Sequence, residues 1–438
     1  MDEVTIEIFS AGQWRKAAQF GLYGGNYSAG YRAGGRLTYD LDYVFPRIGE
    51  DRIVDRVGCL YPVNFELYRG ESWPAFLLDL VPTGYARQIW LKSLGLKDDD
   101  SAWWQLLHHA AGNPPGNLRI AGAGIKTPVR HSGFDRQDVI EKNVDFIEYA
   151  EANGALVAGA TDVQGQAPKF LLVEDQNNRW HAEGALPEDQ IKCHWLVKFP
   201  RGKSEADRQV LRNEAPYYEA ARAFGLRTGV PLEYQDGALF IRRFDRRVTQ
   251  TGVERLGMES MASVCGISEF GFRGSHNQIC EMIDRFATDP YRDIQEYIKR
   301  DILNVALRNT DNHSRNTAFL KNPSGTVALS PLFDFAPMFL DPEGIPRASR
   351  WEAEGEKTIG LPDWGHVAED LEQRIGLCGG ELRQWLADQA ESVERLPETL
   401  NRCGVEGSLI EQLAKRIETI ARMLQDAQPC SAPPLLKR

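Results

Sequence analysis

Asp311 stands five residues before Asn316 in the run Asn309-Thr-Asp-Asn-His-Ser-Arg-Asn316, and Asp334 follows within Phe333-Asp-Phe335. A carboxylate and an amide at that spacing, with a second carboxylate downstream, are the oxygens that phosphoryl transfer needs: a base or orienter for the attacking hydroxyl, and ligands for Mg²⁺. In this reading Asp311 takes the first role, and Asn316 and Asp334 bind the metal. The spacing alone is common by chance and fits a structural Asn/Asp turn better. The segment between them points toward the site, because Thr317–Leu320, the turn Asn322-Pro-Ser-Gly325 and Thr326–Ser330 read as a hairpin that returns Asp334 to the loop. His313, inside the loop, is placed to bind or position a carboxylate and is counted with the nucleotide-site residues. No second His or Cys stands at metal spacing, so zinc is not expected.

A nucleotide also needs a cation at its phosphates. Trp195-Leu-Val-Lys198 puts a lysine inside an apolar strand, where the plainer reading is an edge lysine whose stem snorkels. Glu214, on the following helix, is its natural counter-charge, although a first-turn glutamate favouring the helix dipole would look the same. Pro216 is tolerable if that helix starts near Asn213, since proline suits a first turn. Upstream, Gly159-Ala-Thr-Asp-Val-Gln-Gly-Gln-Ala-Pro-Lys169 is a small-residue loop, with Gly165, that would let backbone N–H groups approach phosphate, or an ordinary loop. Arg243-Phe244-Asp245-Arg246 ends the last strand where a hinge would hold adenine through its backbone. Asp245 then either reaches the ribose or joins an ion-pair cluster between lobes.

Three units must position these groups. Residues 1–150 mix short strands (Val4–Phe9, Leu118–Ile120), Gly-rich turns and a helix at Ser101–Ala111. Residues 151–244 read strand, strand, helix, strand: Lys169–Glu174, Cys193–Phe199, Asn213–Phe224 and Ala238–Ile241. Residues 245–428 are mainly helical, with helices expected at Glu259–Cys265, His276–Phe286, Tyr291–Arg308, 366–376, 380–394 and 407–426. The tail 429–438, with three prolines, reads as disordered. The expected class is α+β, a bilobal kinase-like fold with a mixed small lobe, a helical catalytic lobe and an extra N-terminal subdomain.

Composition bounds the function. The 438 residues exceed one compact core, and no stretch has the apolar length of a membrane span. The acidic first residues Asp2, Glu3 and Glu7 are unlike a secretory leader, which makes the cytoplasm the default location. Seven scattered cysteines without a C-x-x-C pair encode neither a disulfide framework nor a zinc site. A net charge of -11 disfavours direct binding of nucleic acid.

Taken in order, Gly165-Gln-Ala-Pro-Lys169, Leu196-Val-Lys-Phe-Pro200, Asn213-Glu214, Arg243-Phe-Asp-Arg246, the loop 309–316 and Leu332-Phe-Asp334 resemble the HipA family of bacterial serine/threonine kinases, the toxin halves of HipA and HipB toxin–antitoxin modules. The resemblance is good from about 160 to 340 and loose before 150, where Leu80-Val-Pro-Thr-Gly84 is one matching fragment. It implies ATP and Mg²⁺ as cofactors, with Lys198 on the phosphates, the backbone of Arg242 to Phe244 on adenine, Asp311 as base and Asn316 and Asp334 on Mg²⁺. It implies a protein substrate, an aminoacyl-tRNA synthetase and glutamyl-tRNA synthetase in particular, whose phosphorylation halts growth. It also implies a HipB-like DNA-binding antitoxin as partner, with DNA met only through it. The family's phosphate loop carries a serine whose autophosphorylation silences the enzyme; here Asp162 stands in that place, with Thr161 beside it as a substitute acceptor.

Two rival functions use the same residues. A metal-dependent nuclease or phosphodiesterase would employ Asp311, Asn316 and Asp334 but would not need Lys198 and Glu214. An inactive ATP-binding corepressor would follow if Asp162 had disabled turnover. A lipid substrate in place of a protein also stays open.

Overall fold

In the computed structural model, residues 3–124, 128–155, 168–250, 252–272, 274–353, 356–357, 360–376 and 380–427 are described. Apolar residues at alternate positions turn Val4, Ile6 and Ile8 of β1 (Glu3–Ser10) into one core. This strand pairs antiparallel with β2 (Gln13–Leu22) and with β5 (Leu118–Ile120). With β3 (Gly35–Tyr39) and β4 (Tyr68–Gly70) they form a sheet of order β4-β3-β2-β1-β5. Phe20, Trp73 and Trp104 fill its core, the last from the helix Ala102–Ala110.

A second sheet, of order β7-β6-β8-β10-β9, is built from β6 (Lys169–Asp175), β7 (Trp180–Ala182), β8 (Ile191–Lys198), β9 (Glu233–Gln235) and β10 (Ala238–Arg242). The helices Arg136–Glu141 and Val144–Ala152 pack on it, through Val139, Ile140, Phe146 and Tyr149 against Phe170, Trp180 and Phe240. The hairpin β11 (Arg246–Thr249) and β12 (Gly252–Arg255) leads out of it.

The helix carrying Glu214 runs Glu205–Ala223, well N-terminal to the start expected at Asn213. Its cap is Ser204, whose hydroxyl accepts from the Asp207 N–H while Asp207 accepts from the Ser204 N–H. Pro216 therefore lies in the helix interior rather than its first turn, where it has no N–H to give the carbonyl of residue 212. Asn213 is not a cap: its side chain donates to Gln209 O and accepts from the Glu406 N–H, tying this helix to the C-terminal one.

The last lobe is helical. His276–Phe286 falls where the sequence puts it; Pro290–Ala306 and Gly407–Gln425 fall within two residues of expectation. The expected helix at 380–394 divides into Glu381–Asp388 and Ala390–Glu394, and Leu396–Arg402 follows. The expected helix at Glu259–Cys265 instead opens as β13 (Gly257–Ser260) and shrinks to Met261–Val264. The cause is pairing: β13 adds a third strand to the expected hairpin, β14 (Ala318–Lys321) and β15 (Val327–Leu329). The tail expected to be disordered, 429–438, lies outside the described residues. Among those described, no helix is long and apolar enough to cross a membrane.

Glu259 on β13 joins the N-terminal unit to this lobe. Its carboxylate is buried and accepts from the Cys59 N–H at 2.9 Å, Lys321 Nζ at 2.9 Å and Ser263 Oγ at 2.8 Å. Glu259→Ala would strand the Lys321 ammonium in the core, and removal of one partner of such a pair costs about 3–5 kcal/mol. Urea unfolding of Glu259→Ala should show a midpoint lowered accordingly, with Glu259→Gln less affected because it keeps the acceptor for Cys59.

Candidate active site

Antiparallel pairing sets Lys169 at the start of β6 directly opposite Lys198 at the end of β8. Both side chains are buried, and like charges facing each other across a strand pair repel. Asp334 resolves this. One of its carboxylate oxygens bonds Lys198 Nζ, and the other lies 3.4 Å from Lys169 Nζ. Lys198 Nζ also donates to Glu214 Oε1 at 2.7 Å. Burial works against charge on Asp334, Lys198 and Glu214. At Asp334, Lys169 and Lys198 outweigh it and hold the carboxyl below the usual carboxylate range. Asp334 and Glu214 likewise outweigh the burial of Lys198, whose ammonium is held above the ordinary lysine value. At Glu214 burial prevails and raises the carboxyl. Asp334 reaches the lysines from a left-handed backbone, φ 52°, a conformation that Asp tolerates better than most side chains.

The loop bearing Asp311 closes on itself. Asn316 Nδ2 donates to Asp311 O at 2.8 Å, and the Asn316 N–H donates to His313 O at 2.9 Å. Asn316 Oδ1 is left buried with no hydrogen-bond partner. His313 Nε2 lies 3.3 Å from Asp311 Oδ1. Asp311, His313, Asn316 and Asp334 line one small cavity, so the hairpin returns Asp334 to the cavity of the loop. An orphaned amide oxygen beside a carboxylate fits Mg²⁺, which takes one or two protein oxygens and completes its shell with phosphate and water. Among the described residues no group of three or more His, Cys, Asp or Glu forms a metal site of its own.

Next to this cavity is a cleft that opens to solvent. Leu171, Leu196, Ile241, Val230, Met258 and Leu332 supply apolar walls, and Lys169, Lys198 and Asp334 lie at its polar end. Such a slot suits a flat ring with an anionic tail. Arg242, Arg243 and Phe244 form part of its rim, with the Arg243 N–H committed to His194 O at 3.0 Å. Phe244 faces Phe333 across the cleft, ring centroids 6.0 Å apart.

Asp245 is used differently from a ribose ligand. Its carboxylate accepts from Arg243 Nη2 at 2.6 Å, Arg246 Nη1 at 2.8 Å and the Gly116 N–H at 2.7 Å, so its oxygens are committed to protein. These arginines share a second buried carboxylate, Glu183, which bonds Arg243 Nη1. Burial and the neighbouring Arg243 push the Arg246 guanidinium down to about 10. This is the ion-pair cluster that was the other reading of the segment, and through Gly116 it reaches the N-terminal unit. Thr161, Asp162 and Gly165 lie outside the described residues.

Sequence reading misses Lys169, Glu183 and Arg315. Lys169 carries one signal, its place after Pro168 at the start of a strand, but its meaning depends on a register that only pairing reveals.

A family model described as "HipA-like C-terminal domain" matches residues 161–399, more than half of the chain. The chain belongs to that family. A solved structure similar to this HipA-like chain is HipA of Shewanella oneidensis MR-1, in a complex with HipB and operator DNA. The identity is 16%, the TM-score 0.66, and the match covers 97% of this chain and 100% of the other. The fold is thus the bilobal, kinase-like α+β fold, with its small mixed lobe, helical lobe and additional N-terminal unit. No curated protein sequence matches the chain.

The Lys198 cluster has a pH signature. A depressed carboxyl such as Asp334 stabilises the fold above the ordinary carboxylate value, about 4, and that contribution is lost as pH falls through its lower folded value. Lys198→Met leaves Asp334 and Glu214 one cation short, an effect that protonating them relieves. The stability gap between wild type and Lys198→Met should therefore be widest near pH 7 and should narrow as pH falls, first as the raised carboxyl of Glu214 takes its proton above the ordinary carboxylate range and then as Asp334 does, as read by denaturant midpoints across that range.

Proposed function

We propose that this HipA-like chain is an ATP- and Mg²⁺-dependent kinase that phosphorylates a serine or threonine of a protein substrate. The observation that carries the reading is the Lys198–Glu214 pair, buried at the polar end of an apolar cleft and joined through Asp334 to the cavity of Asp311 and Asn316. A nuclease needs the oxygens but not the lysine pair.

In this reading Lys198 and Lys169 hold nucleotide phosphates, and Asn316 Oδ1 and Asp334 hold the metal. Bound Mg²⁺ would neutralise charge on the phosphoryl group in transit. Asp311 orients the attacking hydroxyl and accepts its proton as the hydroxyl oxygen bonds the γ-phosphorus and ADP leaves. His313, close to Asp311, steadies that carboxylate. The apolar cleft walls and the backbone of Arg242 to Phe244 take the adenine.

By family, the protein is proposed to act in the cytoplasm as the toxin of a toxin–antitoxin pair, with an aminoacyl-tRNA synthetase as substrate. The HipA of the Shewanella complex is bound to HipB and operator DNA, which supports a HipB-like partner here and contact with DNA through it. Asp162, where the family carries its self-phosphorylated serine, leaves Thr161 as the neighbouring acceptor for self-inactivation.

The test is transfer from γ-labelled ATP with Mg²⁺ to proteins of a cell lysate. Label should appear on a lysate protein and vanish with Asp334→Ala, and Asp311→Asn should slow transfer by about 10²–10⁴-fold, the usual worth of a positioned base. ATP binding without transfer would favour the binding-only reading. Absence of ATP binding would remove the kinase assignment and bring the nuclease assay forward.

A further inference from the structure

Arg315 lies inside the loop that carries Asp311 and Asn316, yet its side chain points away from the cavity those residues line. It is almost wholly buried, and its Nη1 donates to Asp79 Oδ1 at 2.8 Å. Among the described residues Asp79 is the only carboxylate it meets; Nη2 is buried without a hydrogen-bond partner, and the guanidinium otherwise rests on the Phe270 ring, 4.6 Å from its centroid. A buried guanidinium with one anchor is held by that anchor.

Asp79 belongs to the N-terminal unit, at the end of the short helix Ala75–Asp79 and just before the Leu80-Val-Pro-Thr-Gly84 segment. It holds the loop by a second route. Its oxygens accept from the Ser260 N–H at 2.9 Å and Ser260 Oγ at 2.8 Å. The next residue, Met261, donates its N–H to Thr317 O at 2.8 Å. One carboxylate from outside the two lobes thus grips the loop at Arg315 directly and, through Ser260, at the residue after Asn316.

We infer that Asp79 is a positioning residue for phosphoryl transfer: through Arg315 it fixes the turn that presents Asp311 and Asn316, so that the N-terminal unit completes the active site. This rests on the kinase reading for its chemistry. Asp79 touches neither the cleft that would hold nucleotide nor Lys198, so its loss should affect the reaction step rather than nucleotide affinity.

The experiment uses the full chain and compares wild type with Asp79→Asn, which keeps shape and acceptor but removes charge, and with Arg315→Met. The kinetic arm measures label transfer and ATP binding in parallel. Asp79→Asn should lower kcat by roughly 10-fold or more, with KM for ATP within about 2-fold of wild type, as expected when an interaction acts only on the transition state. The double variant should be no slower than the worse single one, since both remove one contact. The second arm follows backbone hydrogen exchange by mass spectrometry and needs no activity. Exchange should rise across residues 309–317 in Asp79→Asn and stay at wild-type values in the helix His276–Phe286. Wild type without transfer would sink the kinase reading alone, because the exchange arm still tests whether Asp79 holds the loop. Unchanged exchange at 309–317, or unchanged kcat in an active enzyme, would overturn the inference. A uniform rise in exchange over both segments would also overturn it, by showing general loss of structure.

Discussion

Two ammonium groups cannot face each other in a protein interior without a shared counter-charge, and the register of β6 against β8 makes Lys169 and Lys198 do so. The rest of the molecule is arranged around that demand. Glu214 approaches from the helix of the small lobe, and Asp334 from the far side of the cleft, at the end of a hairpin of the other lobe. The lobes are thus joined electrostatically at the point where the apolar cleft ends. A residue that bridges them this way must have a backbone that can turn back on itself, which is where the left-handed conformation of Asp334 enters.

The same logic recurs at two other joints. Asp245 and Glu183 neutralise Arg243 and Arg246 at the connection between the lobes, and Glu259 neutralises Lys321 under the N-terminal unit. In each, a buried carboxylate that neutralises a buried cation also accepts from a backbone N–H donor. Gly116 and Cys59 supply those donors from the N-terminal unit. A buried pair with its remaining lone pairs satisfied holds geometry more surely than it adds stability. The N-terminal unit is therefore wired into both lobes by groups whose misplacement is costly.

What could be read from the sequence was local. The strand of Lys198, the hairpin after Asn316 and the helix His276–Phe286 announce themselves by alternation, turn residues and period. The order of short motifs sufficed to suggest the family. The helix of Glu214 starts earlier than its sequence suggests because Asn213 followed by Glu214 looks like a cap, whereas the reciprocal bonds of Ser204 and Asp207 that cap it lie further back, in a largely charged stretch. The helix expected at Glu259 failed because a propensity was overridden by strand pairing with residues some sixty positions away. Lys169 and Asp79 gain their meaning from contacts across long separations, and no window of sequence contains both partners. Asp245 could be read two ways because one carboxylate between arginines suits either a ribose or a salt cluster; the deciding donor, the Gly116 N–H, is also distant.

The long reach of Asp79 bears on how the protein is made. Translation delivers this aspartate early, while Ser260 and Arg315 emerge only after most of the chain has left the ribosome. Until then the nascent N-terminal unit exposes a carboxylate without its partners, and the loop of Asp311 and Asn316 does not yet exist. The Asp79–Arg315 contact consequently forms only once the chain has been made through Arg315, and a product terminated before that residue carries the carboxylate without its guanidinium partner.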